Sequence, residues 1–302
     1  MKNRTTPRNL STMKKVEPYI WLLPSVVLMV FMILVPIFTV FRISVLKVGR
    51  SGKLGDFIGL ANYLEVFEDP VFGMTLRNTI IWTIAVVGIS TIIGFVLAMV
   101  LNTKFRGRKF VRAVVVFPWA TALIIQSAVW KYIINAEHGA LNVLLHKIGL
   151  IDQFINFTPT ASAMFAWECW VGIFVTFPFV TFCVLSGLQS IDGAYYEAAE
   201  IDGASFWTKL FRITLPLVMP SLTVSTVLNI IYVFNSFPIV WTISKGAPAN
   251  QTHTLVTYLY YLSFSEGKAG HAAAVSVIGF VILSICAGIY MILSLRAEGE
   301  GD

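Results

Sequence analysis

The stretch Glu197-Ala-Ala-Glu200-Ile-Asp-Gly203, which runs on to Ile213-Thr-Leu215-Pro216, decides how the rest of this chain is interpreted. It is polar and consists largely of helix-forming residues, yet it lies between two long apolar runs. A polar, helical insert between two such runs predicts a docking element that is held just outside a membrane.

The composition indicates a membrane protein. Of the 302 residues, 57% are hydrophobic and only 13% are charged, and the mean hydropathy is +0.77, whereas soluble domains carry about 25% charged residues. Six segments reach the length of about 20 residues that an apolar helix needs to cross a bilayer. The predicted spans are residues 20–41, 80–101, 111–134, 161–187, 221–243 and 272–295. Because backbone polar groups need internal partners in hydrocarbon, we expect an all-α integral membrane protein with six transmembrane helices.

The basic residues predict the orientation of these spans. Lys and Arg concentrate in the tail 1–18 and in the short connection 104–112. With six spans, both segments lie on the same side as the 188–220 loop and the tail 296–302, and that side holds 13 of the 22 basic residues. The bias predicts that both termini are cytoplasmic, on either side of a membrane domain 19–295. The first span is too long for a cleaved signal sequence and is kept as a membrane helix. No interleaving of aromatic and basic residues suggests nucleic-acid binding.

The 188–220 loop divides into two predicted helices. Asp192 is placed to cap the first, and Gly203 breaks it where a left-handed turn favours glycine. Ser205 is placed to cap the second, in which Phe206, Leu210 and Ile213 form an apolar stripe, and Pro216 is expected to stop it. The acids Glu197, Glu200 and Asp202 then lie on a face that can meet a basic partner. Composition by itself favours a solvated loop that only connects two spans.

This loop resembles the EAA loop of permease subunits from binding-protein-dependent ATP-binding-cassette importers. The resemblance lies in the spacing, which is E-A-A, three residues, G, nine residues and then I-x-L-P. That resemblance implies the type I importer permease fold, with the loop seated in a groove of an ATPase subunit. It implies the following ATPase-coupling residues: Glu197, Ala198, Ala199, Asp202, Gly203, Ile213, Leu215 and Pro216.

The resemblance covers essentially the whole chain and points to the carbohydrate, maltose-type branch. It is carried by Phe117-Pro118-Trp119, Trp130-Lys131, Gly139-Ala-Leu-Asn142, Gly187-Leu-Gln189-Ser-Ile191, Phe234-Asn235-Ser-Phe237 and Thr242-Ile-Ser-Lys-Gly246-Ala-Pro248. Two positions depart from the family pattern, since Asp192 replaces a proline and Ala247 a glycine. The implied function is that of a permease subunit of a sugar importer in a bacterial or archaeal inner membrane.

The expected partners follow from what the chain lacks. No G-x-x-x-x-G-K-[ST] phosphate loop occurs, because Gly49-Arg-Ser-Gly52-Lys53 has the wrong spacing. The chain is therefore expected to be a transport subunit and not an enzyme, without a bound cofactor or metal, while ATP and Mg²⁺ are used by separate subunits. The resemblance implies two ATPase subunits, a second permease in a heterodimer, an extracytoplasmic solute-binding protein and membrane lipid as partners.

A solute pathway is predicted between the fourth and fifth spans. Asn229, Tyr232 and Ser236 share one face of the fifth span, and Thr176 and Phe179 share one face of the fourth. Aromatic rings beside amide and hydroxyl groups suit a sugar. The alternative is interhelical packing, in which small and polar residues join membrane helices.

Glu168 is the one acid well inside a predicted span. It lies about 10 Å from the outer end of the fourth span, at 1.5 Å per residue, and Trp167 and Trp170 flank it. We therefore expect an acid that faces an outer cavity or reaches toward the interface, in preference to a proton relay.

Other classes of protein remain as alternatives. A permease for glycerol-phosphate or another small solute fits the same motifs. A stand-alone secondary transporter would need charged pairs at mid-membrane and an internal repeat, and neither is evident. A membrane enzyme would need a cluster of catalytic side chains, which the four scattered histidines do not provide.

Overall fold

Five helices in the computed structural model are each long and apolar enough to cross a membrane, and a bent pair of helices forms a sixth span. The structure describes residues 8–299, with side chains described for 18–19 and 21–289. The single helices are Trp21–Ser44, Pro70–Asn102, Ala161–Ser190, Phe206–Ile243 and Ala269–Ile289. The predicted all-α class with six membrane helices is confirmed. Parts of the two predicted tails, residues 1–7 and 300–302, lie outside the described residues.

The described elements follow one another along the chain with short connections. Their bounds are α1 Arg8–Ser44, β1 Leu46–Val48, β2 Leu54–Phe57, α2 Ala61–Glu68, α3 Pro70–Asn102, α4 Arg108–Ala120, α5 Leu123–Ile133, α6 Ala140–Lys147, α7 Ala161–Ser190, α8 Gly193–Ile201, α9 Phe206–Lys209, a π turn Leu210–Thr214, α10 Leu215–Phe234, α11 Pro238–Ile243, α12 Leu255–Tyr260, a second π turn Tyr261–Ser265 and α13 Ala269–Gly299. Helix α1 thus already begins inside the stretch assigned to the N-terminal tail.

The third span is not one straight helix, as its continuous apolar run suggested. Helices α4 and α5 meet at an angle of 98°. Pro118 interrupts the helical ladder just before the bend, and the Thr121 hydroxyl donates to the Phe117 and Pro118 carbonyls, each at 3.1 Å. The Gln126 amide also donates to the Pro118 carbonyl at 3.4 Å. These side chains satisfy carbonyls that the bend would otherwise leave unpaired inside a membrane.

Helix α7 is the centre of the bundle and packs against α3, α4 and α10. Its glycines permit close approach, since a Cβ on Gly172 would lie 2.8 Å from the Trp82 ring and one on Gly187 would lie 2.5 Å from Ser221 Oγ. Van der Waals contact at small residues is the main force between membrane helices, because lipid is as apolar as the side chains. The indole nitrogen of Trp82 donates to the Val233 carbonyl at 2.8 Å and so joins α3 to α10.

The bundle end opposite the 188–220 loop carries small additional elements. The short helices α2 and α6 lie in the connections that follow the first and third spans. An antiparallel hairpin of β1 and β2, which the sequence pattern did not indicate, precedes α2. The Asn62 side chain in α2 donates to the Ser44 and Leu46 carbonyls at 2.8 and 3.0 Å. This amide fixes the hairpin to the end of α1.

The side chain of Glu168 is fully buried, so the expectation of an acid that faces an outer cavity or reaches toward the interface was wrong. The reason is tertiary: about two thirds of the apolar part of α7 is buried inside the bundle, more than for the other four single membrane helices. Depth along one helix could not reveal that neighbouring helices close over this position.

Candidate functional site

The first helix of the 188–220 loop has the structure that its sequence predicted. Asp192 Oδ1 accepts a hydrogen bond from the Ala194 amide at 3.0 Å, and α8 follows directly. The chain then turns at Gly203, whose φ of +74° is readily adopted only by glycine. The Ala204 amide bonds back to the Ala199 carbonyl at 2.8 Å and closes the turn. The capped helix and its glycine turn are confirmed.

The second helix of the loop begins as expected but does not end as expected. Ser205 Oγ accepts a hydrogen bond from the Thr208 amide at 3.3 Å, which confirms the predicted cap. The prediction that Pro216 stops this helix was wrong, because α9 passes through the π turn directly into α10. A proline ring clashes with the carbonyl four residues earlier in an α-helix, and the wider π turn just before Pro216 relieves that clash. The fifth span and the second loop helix are therefore one continuous rod.

Two side-chain contacts brace the loop helices against each other. Lys209 Nζ lies 2.8 Å from Glu200 Oε1, and the hydrogen bond from this ammonium lowers the pKa of the Glu200 carboxyl. The Tyr196 hydroxyl lies 3.0 Å from Thr214 Oγ1. The ion pair is exposed and adds little stability, but together the two contacts set the angle between α8 and the rod.

The outer face of the loop carries most of the predicted coupling residues. Glu197, Ala198, Asp202, Gly203 and Pro216 are exposed, whereas Ala199, Ile213 and Leu215 are half-buried. Neither Glu197 nor Asp202 forms an ion pair within the described part of the chain. The acids are therefore available to a partner, apart from Glu200.

An exposed aromatic cluster on the same loop was missed in the sequence. Phe206 was assigned to the apolar stripe of the second loop helix and is 59% exposed, while Trp207 and Phe211 are 62% and 59% exposed. The rings of Trp207 and Phe211 stack with their centroids 6.0 Å apart. Three large aromatic residues within six positions of the 188–220 loop are the signal that could have indicated a contact surface.

A cavity of about 230 Å³ lies between the helices that flank this loop. It brings together four of the predicted pathway residues, Thr176 and Phe179 of α7 with Asn229 and Tyr232 of α10. Trp119 of α4 and Leu228 also line it, and neither was predicted. Ser236 is buried elsewhere, because α10 ends at Phe234 and the helical spacing does not continue to that position.

Polar groups of the cavity are partly free to bind a ligand. Asn229 Nδ2 donates to Ser90 Oγ at 2.9 Å, while Asn229 Oδ1 is buried without a partner among the described residues. Thr176 Oγ1 donates to the Gly172 carbonyl at 2.8 Å. The rings of Trp119 and Phe179 are stacked with centroids 6.5 Å apart. An unsatisfied acceptor beside flat aromatic faces matches the chemistry of a hydroxylated ligand.

A larger groove of about 730 Å³ lies toward the opposite end of the bundle. Its lining is aromatic and aliphatic, with Trp130, Phe157, Trp167 and Trp170 as its largest members. It offers no hydroxyl, amide or charged side chain among the described residues, so the smaller cavity is the better candidate for a polar solute. The described residues also contain no group of three or more His, Cys, Asp or Glu that could hold a metal ion.

Comparison with known proteins gives a consistent result for sequence and fold. Residues 90–297 match the family described as binding-protein-dependent transport system inner membrane component. A probable ABC transporter permease protein of Brucella suis is 42% identical over 93% of this chain and 97% of its own length. The trehalose/maltose transport system permease protein MalF of Thermococcus litoralis is 31% identical, over 90% of this chain and 92% of its own length. A chain in the crystal structure of a bacterial ABC transporter for alginate import has the same fold, with a TM-score of 0.84, 21% identity and coverage of 96% and 99%.

Proposed function

Because the chain belongs to the family of binding-protein-dependent transport system inner membrane components, we propose that it is the permease subunit of an ATP-driven sugar importer. It forms half of a translocation pathway and receives movement from ATPase subunits through the 188–220 loop. One observation carries this proposal: the helices that emerge from that loop, α7 and α10, also line the cavity with the free Asn229 acceptor. Relatives named as trehalose/maltose and sulfoquinovosyl glycerol permeases support a carbohydrate substrate.

The proposed assembly contains a second permease, two ATPase subunits and an extracytoplasmic solute-binding protein. A cavity of about 230 Å³ falls below the about 300–1,000 Å³ of typical ligand sites, which fits a pathway that a second permease completes. The chain lies in the cytoplasmic membrane of a bacterium or archaeon with both termini in the cytoplasm, on the side of the basic 104–112 connection. The membrane domain is 19–295, and the tails are 1–18 and 296–302.

The lining of the cavity favours a neutral sugar over a phosphorylated solute. Its six described lining residues include no Lys, Arg or His. A buried phosphate needs charge-assisted hydrogen bonds, most often from Arg or Lys, whereas sugar hydroxyls pair with an amide oxygen and a phenol. Glycerol-phosphate therefore remains the less suitable substrate.

Affinity purification from native membranes tests the assembly. The tagged chain, solubilised in mild detergent, is expected to bring down an ATPase and a second permease, identified by mass spectrometry. A Glu197→Lys variant, which reverses an exposed loop charge, should recover the second permease but not the ATPase. A chain that purifies alone and still transports in vesicles would contradict the proposal and favour a secondary transporter.

Replacing Asn229 by alanine tests the cavity. We expect uptake by the reconstituted transporter to fall about tenfold, because a lost hydrogen bond to a buried acceptor corresponds to about 1–2 kcal/mol. Co-purification of the ATPase should be unchanged. Ser90→Ala is the matched control, since it removes only the partner of Asn229 Nδ2. Unchanged uptake and substrate range in the Asn229 variant would count against the cavity as the solute site.

A further inference from the structure

One of the three helices that line the cavity has no chain connection to the 188–220 loop. Helix α7 leads into the loop and α10 leads out of it, so both move with it through the backbone. Helix α4 contributes Trp119 to the same cavity, but α5, α6 and the whole of α7 separate it from the loop along the sequence. A movement of the loop must reach Trp119 through side chains.

Two arginines provide that contact at the first turns of α4. The side-chain amide of Gln189 lies beside both guanidinium groups. With its oxygen on that side, it accepts hydrogen bonds from Arg112 Nη2 at 2.9 Å and from Arg108 Nη2 at 3.1 Å. This orientation follows from chemistry, since a guanidinium group only donates. Gln189 lies in the last turn of α7, three residues before the Asp192 cap of α8. We call these three residues the Arg–Gln clamp.

The surroundings of the Arg–Gln clamp allow the two positively charged guanidinium groups to lie close together. Among the described residues, no carboxylate lies within 4.0 Å of either guanidinium group. Both cations instead approach the C-terminal end of α7, where the last carbonyls of a helix carry partial negative charge. The Nε atoms of Arg108 and Arg112 are buried. Both arginines are half-buried and Gln189 is exposed, so the clamp lies at the edge of the α4–α7 contact.

Helix α4 carries the clamp arginines near its first residue and the cavity residue Trp119 near its last. Arg108 and Trp119 are about 16 Å apart along the helix axis, at 1.5 Å per residue. The hydrogen bonds of Thr121 define the far end of α4, and Trp119 lies just before it, stacked on Phe179. In the described part of the chain, the bonds to Gln189 are the only side-chain hydrogen bonds between α4 and the segment that comprises α7, α8 and α9.

We propose that Gln189 is a positioning residue that makes α4 follow the 188–220 loop, so that ATP-driven movement of the loop shifts Trp119 within the cavity. This inference rests on the proposed importer function. It names the side-chain contact that couples α4, the third helix of the cavity, to the 188–220 loop. Loss of the clamp leaves α7 and α10 coupled, whereas α4 then keeps only its packing contacts with α7, including the Trp119–Phe179 stack. ATP hydrolysis therefore continues while less solute is moved for each ATP.

The test uses the complete transporter, reconstituted in vesicles with its ATPases, partner permease and solute-binding protein. For Gln189→Leu, we expect uptake per ATP hydrolysed to fall roughly tenfold, within the usual range of coupling between two sites. Gln189→Glu retains the acceptor and should restore the ratio. Ser186→Ala, at an exposed position one turn earlier, is the matched control. A ratio that stays at the wild-type value in Gln189→Leu, or that falls equally in Gln189→Glu, would overturn the proposal.

A distance measurement tests the clamp without any transport assay. Spin labels replace the exposed residues Ala113 of α4 and Ala194 of α8, and pulsed electron resonance reports the distribution of their separation. A narrow distribution that broadens in Gln189→Leu supports the clamp, and an identical distribution in both proteins refutes it. If the wild-type assembly transports nothing and recovers no ATPase, the proposed function fails, whereas this measurement still decides whether Gln189 ties α4 to the loop.

Discussion

Replacing Gly203 by proline is expected to abolish ATPase binding and to reduce solute uptake at least tenfold. Gly203 adopts a φ of +74°, whereas the proline ring fixes φ near −65°, so the turn between α8 and α9 cannot form. Proline also removes the amide that bonds to the Glu200 carbonyl at 3.0 Å. The acids of α8 and the aromatic cluster of α9 would then no longer be presented together. Co-purification of the ATPase and uptake in vesicles measure the effect.

A graded series at Gly203 separates backbone conformation from other causes. Asparagine tolerates the left-handed region and should have a small effect, and alanine should cost about 1–2 kcal/mol of local stability. No atom lies within 4 Å of a Cβ built on Gly203, so steric contact does not contribute. Thermal unfolding of the membrane helices should be the same in all variants. A proline variant that still binds the ATPase at the wild-type level would show that the turn is not required for coupling.

Replacing Gly187 by alanine is expected to lower the free energy of unfolding by about 1–3 kcal/mol, the usual cost of overpacking a well-packed site. The added Cβ would lie 2.5 Å from Ser221 Oγ, 2.7 Å from Ser221 Cβ and 2.9 Å from Val218 Cγ2. Backbone atoms of α7 and α10 must therefore separate where these helices leave the loop. Thermal unfolding in detergent measures the loss.

Two variants control the interpretation of Gly187→Ala. Gly193→Ala makes the same chemical change where no atom lies within 4 Å, and it should be neutral or should stabilise by about 0.4–1 kcal/mol. A Gly187→Ala/Ser221→Gly double variant removes the opposing Cβ and should recover part of the loss. If Gly187→Ala unfolds like the wild type, α7 and α10 do not depend on this close contact.

Features with a local cause were the ones that the sequence indicated correctly. The Asp192 cap, the Gly203 turn and the Ser205 cap each depend on residues within a few positions of one another, and all three are present. Helical spacing likewise grouped Thr176 with Phe179 and Asn229 with Tyr232 on common faces. That these two faces meet depends on how α7 packs against α10, which spacing along a single helix does not contain.

Features with a distant cause were not predictable from pattern. Trp119 was not assigned to the solute pathway, because its place in the cavity depends on the packing of α4 against α7. The continuous rod from α9 to α10 was missed because Pro216 normally ends a helix, and the π turn that accommodates it has no simple sequence pattern. The burial of Glu168 depends on helices that lie far from it in sequence.

The bend between α4 and α5 has a consequence for the order in which the protein is made. Helix α5 packs against α11, and Lys131 Nζ donates to the Thr242 carbonyl at 3.0 Å across 111 residues of sequence. A ribosome that adds 5–20 residues per second needs roughly 5 to 20 s to synthesise that interval. Until then α5 lacks its contact with α11, and the bend is held by the local hydrogen bonds of Thr121 and Gln126. The contact that fixes the far side of this bend to the rest of the bundle therefore forms late in biosynthesis, when the fifth membrane segment has emerged.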